Sequence, residues 1–311
     1  MGNIEKNLER GYLMEEESII EKLNLENIEL QNSKEYRLGK KIWMIKEQGF
    51  IKFIKSIILS FKMKKYNHKA SIKNEFLIVN NLDLSDKKIV IYSALISDYD
   101  SIKEPFFVNK NCDYILFTDQ NINNSIWKKR EIPENIKKLK NPILINRYIK
   151  MHPFELLSDY DYALYIDSSI QIVSSLVPFI NRMDLEYGLA FHKHRYRDCL
   201  YEEIKCCHLL KKGNKQKLET QKILYEKEGF PKHYGMLECG VFVVDLHNKK
   251  SQIILENWWL NFSQSKSLRD QIAFPYTLWK MNIKLDKLGG LGNNLYKNSK
   301  VRVYNEHKKN N

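Results

Sequence analysis

Within Tyr160-Asp161-Tyr162-Ala163-Leu164-Tyr165-Ile166-Asp167-Ser168-Ser169, a mostly apolar run ends in a carboxylate and two hydroxyls. An apolar run of this length bounded by polar residues reads as a strand buried on both faces, as in a parallel sheet. Ligands of open α/β sheets collect beyond the carboxyl ends of such strands, which is where Asp167 falls. The same residue also suits a turn or the N-cap of a following helix.

The pattern recurs along the chain. Lys88 to Ile96 reads as a buried strand running into Ser97-Asp98-Tyr99-Asp100, and Tyr114 to Asp119 as a second one ending in a carboxylate. Further strands are expected at Tyr187 to His192 and Gly240 to Asp245. Helices are expected at about Pro142 to Leu157, Cys199 to Lys211, Lys249 to Phe262 and Leu268 to Met281. Strands alternating with helices imply a three-layer α/β domain with a mainly parallel sheet, preceded by N-terminal helices. Gly289-Gly290-Leu291-Gly292 lacks the dinucleotide-binding spacing and a following helix, and reads as a flexible loop near the site.

Charge is unevenly spread over the 311 residues, whose net charge is +13. Residues 1 to 33 hold three basic and eight acidic side chains, net −5, and residues 34 to 73 hold twelve basic and two acidic, net +10. The expected organisation is an acidic helix at 1–35, suited to a short coiled coil, an oligomer contact or docking, then a basic amphipathic segment at 36–73. A linker at 74–87 and the α/β domain at 88–311 follow.

In the basic segment Leu38, Ile42, Ile45, Phe53, Ile54, Ile57, Ile58 and Phe61 can share one helical face bordered by lysines. Its densest stretch, Phe50 to Phe61, spans only ~18 Å as a helix against a bilayer core of ~30 Å. An interfacial helix on an anionic membrane fits it, as does a helix packed on the α/β domain with a solvated basic face. Nucleic acid fits less well, because the charge lies beside large apolar residues rather than along a phosphate-tracking groove.

Five cysteines, Cys112, Cys199, Cys206, Cys207 and Cys239, include no C-x-x-C pair and follow no signal-peptide pattern, so reduced thiols in a cytosolic compartment are expected. Neither the Cys199, Cys206, Cys207 and His208 group nor His192 and His194 has the spacing of a structural zinc site.

Taken in order, Ser93 to Asp100, Tyr114 to Asp119, Trp127, Asn146 to Pro153, Tyr165 to Ser169, His192 to Arg197 with Cys199 to Glu203, and Arg269-Asp270-Gln271 resemble the landmarks of a GT-A type glycosyltransferase-like family. That family includes plant mucilage and pectin galacturonosyltransferase-like proteins and bacterial proteins of surface-polysaccharide clusters, capsule included. The resemblance covers about residues 88 to 281 and implies a Rossmann-like domain that moves a sugar from a nucleotide diphosphate donor to a glycan or lipid-linked acceptor. For this chain it implies a hexosyltransferase-type enzyme with retention of configuration favoured over inversion, and the basic segment adds the expectation that it is peripheral on the cytoplasmic face of the membrane.

The chemistry asks for matching residues. A diphosphate leaving group needs its growing charge neutralised by a divalent metal or by cations. Asp167 is the candidate metal ligand, with Ser169 beside it where the family's usual D-x-D has become D-x-S; manganese or magnesium would be the ion, and His307 is a further candidate ligand. Arg147 and Lys150, three apart on one helix, can clamp phosphate, with His152 nearby. Asp98, Tyr99 and Asp100 follow the first strand and suit the donor's base or ribose. The resemblance implies that the region of His192, His194 and Arg195 frames the sugar, and Glu238 and Asp270 are candidates for sugar contact or general base. A nucleotidyltransferase would share the α/β layout but would need a Gly-rich basic loop after the first strand, where this chain is acidic.

Overall fold

The computed structural model describes residues 2–67, 79–97 and 101–304, with side chains from Met14 onward. Its strands are β1 (Ile89–Leu95), β2 (Cys112–Thr118), β3 (Lys128–Arg130), β4 (Tyr162–Ile166), β5 (Ile170–Ile172), β6 (Leu189–Lys193), β7 (Leu237–Asp245), β8 (Gly289–Gly292) and β9 (Val301–Val303). Seven of them form one sheet in the order β3-β2-β1-β4-β7-β6-β8, while β5 and β9 pair separately. Every contact in the main sheet is parallel except the two made by β7, which is antiparallel to β4 and β6. The expected mainly parallel α/β sheet is therefore present.

Helices α1 (Gly2–Asn32), α2 (Lys34–Gln48) and α3 (Phe50–Lys64) precede the sheet. Within the domain lie α4 (Glu134–Lys137), α5 (Pro142–Met151), α6 (Pro153–Leu156), α7 (Leu200–Leu209), α8 (Lys215–Lys227), α9 (Lys249–Ser265) and α10 (Asp270–Lys280). Strand alternation sorts β1 between two cores. Val90, Tyr92 and Ala94 pack with Ile145, Ile149, Trp258 and Phe274 from α5, α9 and α10. Ile89, Ile91 and Leu95 pack on the other face with Ile172, Phe179 and Val301. That second layer is built from the β5–β9 ribbon and a 3₁₀ turn at Val177–Arg182 rather than from long helices.

Three expectations change. The helix foreseen from Pro142 to Leu157 is two helices, because Pro153 offers no amide to continue the ladder and His152 before it leaves helical geometry, with φ −122 and ψ 47. Gly289 to Gly292 is not a loop but β8, parallel to β6. A Cβ on Gly289 would lie 2.1 Å from the Arg182 carbonyl oxygen, so this strand can close on its neighbour only without a side chain. The basic segment is likewise two helices, broken at Gly49, whose φ of 86 belongs to the left-handed side of backbone space. A single continuous apolar face from Leu38 to Phe61 therefore does not exist.

The N-terminal helices touch the domain at defined points. Glu17 accepts hydrogen bonds from the Ser174 hydroxyl and the Ser175 amide, at 2.7 and 2.9 Å, and Glu21 pairs with Lys300. Asn24 donates to the Ser299 carbonyl at 2.9 Å and accepts from Arg302 Nε at 3.2 Å. The acidic helix thus docks on its own chain, across the loop after β5 and the segment entering β9. Neither α2 nor α3 buries a residue, and Leu38, Ile42, Trp43, Phe50, Ile51, Ile58 and Phe61 are exposed. The start of the expected linker is outside the described residues. Its end is tied down: the Asn80 amide donates to the Asn181 carbonyl at 2.6 Å, and the Leu82 amide to the Asn181 side chain at 3.1 Å.

Candidate active site

Asp167 follows β4 at the edge where the parallel strands end. Its amide donates to the Gly240 carbonyl at 2.8 Å, which holds the residue against β7. A Cβ on Gly240 would sit 3.0 Å from Asp167 Oδ2, so glycine there leaves room for the carboxylate. The Tyr165 hydroxyl donates to Asp167 Oδ1 at 2.8 Å from a fully buried ring. The carboxylate itself remains one-third exposed.

The cations come from α5. Asn141 caps this helix by accepting from the amides of Ile143 and Leu144, and Asn146 fastens it to β1 by donating to the Ala94 carbonyl at 2.6 Å. Arg147 and Lys150 then point one way, as their spacing requires. Lys150 Nζ lies 2.8 Å from Asp270 Oδ2 and 3.9 Å from Asp167 Oδ1, with its side chain 1% exposed. Arg147 Nε lies 2.9 Å from the same Asp270 oxygen but off the hydrogen-bond line, so it contributes an ion pair rather than an aligned bond. Asp270 opens α10, 120 residues away from Lys150 in sequence.

Burial alone would raise the Asp270 carboxyl, yet the Arg147 and Lys150 cations outweigh it and hold the group well below the usual carboxylate range. Arg147 is correspondingly held as a cation by Asp270 and Asp167 against its own burial. Two cations and two carboxylates leave this quartet balanced. An arriving diphosphate would add charge that the quartet by itself does not neutralise.

A second polar cluster sits at the ends of β6 and β7. His194 Nδ1 accepts from the amides of Tyr196 and Arg197, which leaves Nε2 facing Glu203 and Glu238 at 3.7 and 3.8 Å. Arg197 Nε donates to Glu203 at 2.6 Å in a buried pair. Gln271 donates to Glu238 at 3.1 Å. The Arg195 guanidinium stacks 3.7 Å from the centre of the Tyr296 ring. Burial pushes the Tyr296 hydroxyl up to about 12, with the Glu238 charge adding to it.

Of the residues singled out from sequence, Asp167, Arg147, Lys150 and Asp270 are brought into one charged group, and Glu238 and Arg195 into the neighbouring one. Ser169 is half-buried two residues past Asp167, and its carbonyl accepts from the Tyr304 amide at 2.9 Å. His152 does not join the cations: it stacks on Tyr148 at 3.8 Å, with Trp259 at its edge, and burial lowers its pKa. His192 lies in the core, where a bulge after Phe191 turns it toward Phe179 and Asn298. Burial drops its pKa to about 3. Asp98, Tyr99, Asp100 and His307 lie outside the described residues.

Tyr165, Arg197, Gln271 and Tyr296 are site residues that spacing and residue type do not single out, whereas His194 lies in the region expected to frame the sugar. Nor do spacing and residue type give Asp119 a role, although both its oxygens accept from the Ser97 amide, at 2.9 and 3.1 Å. Among the described residues no group of three or more His, Cys, Asp and Glu side chains is arranged to hold a metal. All five cysteines are free thiols.

Comparison with solved structures gives distant likenesses. One is to the bifunctional glycosyltransferase WbbM, at 11% identity and a TM-score of 0.38 over 66% of this chain and 40% of that one. Another is to the galactosyltransferase LgtC in complex with donor and acceptor sugar analogs, at 15% identity and a TM-score of 0.36 over 60% of this chain and 68% of that one. No curated protein sequence matches the chain. The model of the TOD1/MUCI70 glycosyltransferase-like domain matches residues 38–305, reaching past residues 88 to 281 in both directions and taking in most of α2 and all of α3. With both charged clusters and most of its length inside that match, the chain belongs to the TOD1/MUCI70 glycosyltransferase-like domain family.

Proposed function

We propose that this protein transfers a sugar from a nucleotide diphosphate donor to a glycan or lipid-linked acceptor in bacterial surface-polysaccharide synthesis. The observation that carries this reading is the convergence of Asp167, Lys150, Arg147 and Asp270 at the carboxyl edge of the sheet. Lys150 and Arg147 are preorganised by Asp270, so they need little rearrangement as negative charge grows on the leaving diphosphate.

A divalent cation, manganese or magnesium, fits the donor set at Asp167. Oδ1 is occupied by the Tyr165 hydroxyl, while Oδ2 lies on a partly exposed carboxylate with Ser169 two residues on. Asp167 and Ser169 would hold the ion, with water and donor phosphates completing a hard oxygen shell. When bound, it supplies the positive charge that the balanced quartet lacks.

Asp270 is too strongly ion-paired to serve as a general base, so its part is to position the cations. Glu238, bonded by Gln271, is the carboxylate placed to contact sugar hydroxyls. We read the transfer as retaining, with an oxygen of the departing diphosphate accepting the acceptor's proton. Nucleoside diphosphates should raise the melting temperature, equivalent to about 2.7 kcal/mol at a hundredfold excess over Kd. Thermal denaturation of the full chain measures this, and duplex DNA should produce no shift.

The same proposal places the protein on the inner face of the membrane. No helix among the described residues is long and apolar enough to cross a bilayer. The support is the exposed apolar surface of α2 and α3 within a strongly basic segment. Sedimentation with anionic liposomes is expected, with partial release at high salt and loss of binding when Ile54, Ile57 and Phe61 are all changed to Ser. Equal sedimentation of that triple variant would remove the membrane from the account.

A further inference from the structure

Beyond Glu238, on the side away from Asp167, the structure contains a cavity of about 480 Å³. That volume falls within the roughly 300–1,000 Å³ typical of small-molecule sites. Its inner wall is formed by His194, Arg197, Met236 and Leu237, all buried. Leu237 precedes Gly240 by three residues on β7, which puts the cavity on the order of 10 Å from Asp167 along the strand. It opens at the same sheet edge as the charged quartet.

The charges around it are unequal once the internal pairs are set aside. Arg197 is matched by Glu203 at 2.6 Å, and Asp198 by His233 at 2.7 Å. Lys193 lies near Asp286, which leaves Lys232 and Lys284 as the excess. Lys232 and Lys284 are exposed and form no ion pair among the described residues. Lys193 is half-buried, and burial draws its ammonium below the ordinary lysine range while Asp286 opposes that shift. A neutral sugar would leave this excess positive charge unused, whereas an oxyanion would find the exposed ammonium groups of Lys232 and Lys284. The Tyr234 ring on the same wall, held by its hydroxyl donating to the Ile283 carbonyl at 2.6 Å, supplies an apolar surface for a sugar ring.

We propose that this cavity is a subsite for a sugar bearing an oxyanion, either a uronate carboxylate or a sugar phosphate. Calling that sugar the acceptor unit rests on the transferase reading above; the binding itself does not.

Calorimetric titration of the full chain with glucuronate, glucose 1-phosphate and glucose tests it, in wild type and in the K232E/K284E double variant. At least one of the two anionic probes should bind wild type more tightly than glucose does and lose roughly tenfold in the variant. The milder K232Q/K284Q pair should fall between, and both variants should melt like wild type because the changed side chains are exposed. Tighter binding of glucuronate assigns a carboxylate; tighter binding of glucose 1-phosphate assigns a phosphate. Glucose binding as tightly as both anionic probes, or affinities unchanged in the charge-reversed variant, would overturn the proposal. A parallel titration with nucleoside diphosphates tests the transferase reading separately, since Lys232 and Lys284 lie outside the Asp167 group and the variants should keep wild-type affinity for them.

Discussion

Changing Asp167 to Asn should lower sugar transfer by roughly two to three orders of magnitude while leaving the protein folded. Asn keeps the shape and the main-chain bond to the Gly240 carbonyl, and its side-chain oxygen can still accept from the Tyr165 hydroxyl. Lys150 retains Asp270 as its closer partner, 2.8 Å away. What disappears is the anionic oxygen available to a divalent cation beside the donor phosphates. Stability should change by no more than about 1 kcal/mol, since the side chain is partly exposed and its hydrogen bond survives. Steady-state transfer kinetics together with a thermal melt check both halves. A folded variant that transfers at nearly the wild-type rate would remove Asp167 from the chemistry.

Asp270→Ala should act in the opposite way, through stability first. Its removal leaves Lys150 fully buried and Arg147 largely so, without the carboxylate both contact, and an unmatched buried charge of this kind costs about 3–5 kcal/mol. Because the folded-state carboxyl is held below its ordinary 3.8, it contributes stability that is present above that value and lost as pH falls through the lower, folded one. Wild type should therefore lose stability steadily on acidification below about pH 4, and Asp270→Asn should show a shallower loss over that range. His192 acts at higher pH in the same direction: buried neutral with a pKa of about 3, it stabilises above 6.5 and loses that contribution as pH falls toward 3. Urea unfolding measured from pH 7 downward separates the two. An Asp270→Ala protein as stable as wild type would show that the buried cations find other partners.

Much of the sheet was legible because buried parallel strands announce themselves as apolar runs ending in polar turns. β1, β2 and β4 appear within a residue or two of expectation, and with them the position of Asp167. Helical spacing likewise put Arg147 and Lys150 on one face. Spacing could not reveal that their shared counter-ion is Asp270, because that contact depends on how α10 returns to α5. Glycines misled the reading twice. At Gly289 the absence of a side chain marks a strand in close approach to Arg182, not a loop, and at Gly49 it breaks one expected helix into α2 and α3. His192 is expected at the sugar pocket from its place after a strand and from the family resemblance, and the bulge after Phe191 that turns it into the core is a tertiary event that position along the chain does not encode. Strands β5 and β9, three residues each, are too short to carry a period at all.

The central claim is that the group around Asp167 activates a nucleotide diphosphate sugar. The most direct measurement is turnover of uridine, guanosine, thymidine and cytidine diphosphate sugars by the full chain, with and without manganese or magnesium, alongside Asp167→Asn. Slow hydrolysis or transfer is expected with at least one donor, greater with the metal present and lost in the variant. No turnover of any donor, together with no change in melting temperature from any nucleoside diphosphate, would contradict it.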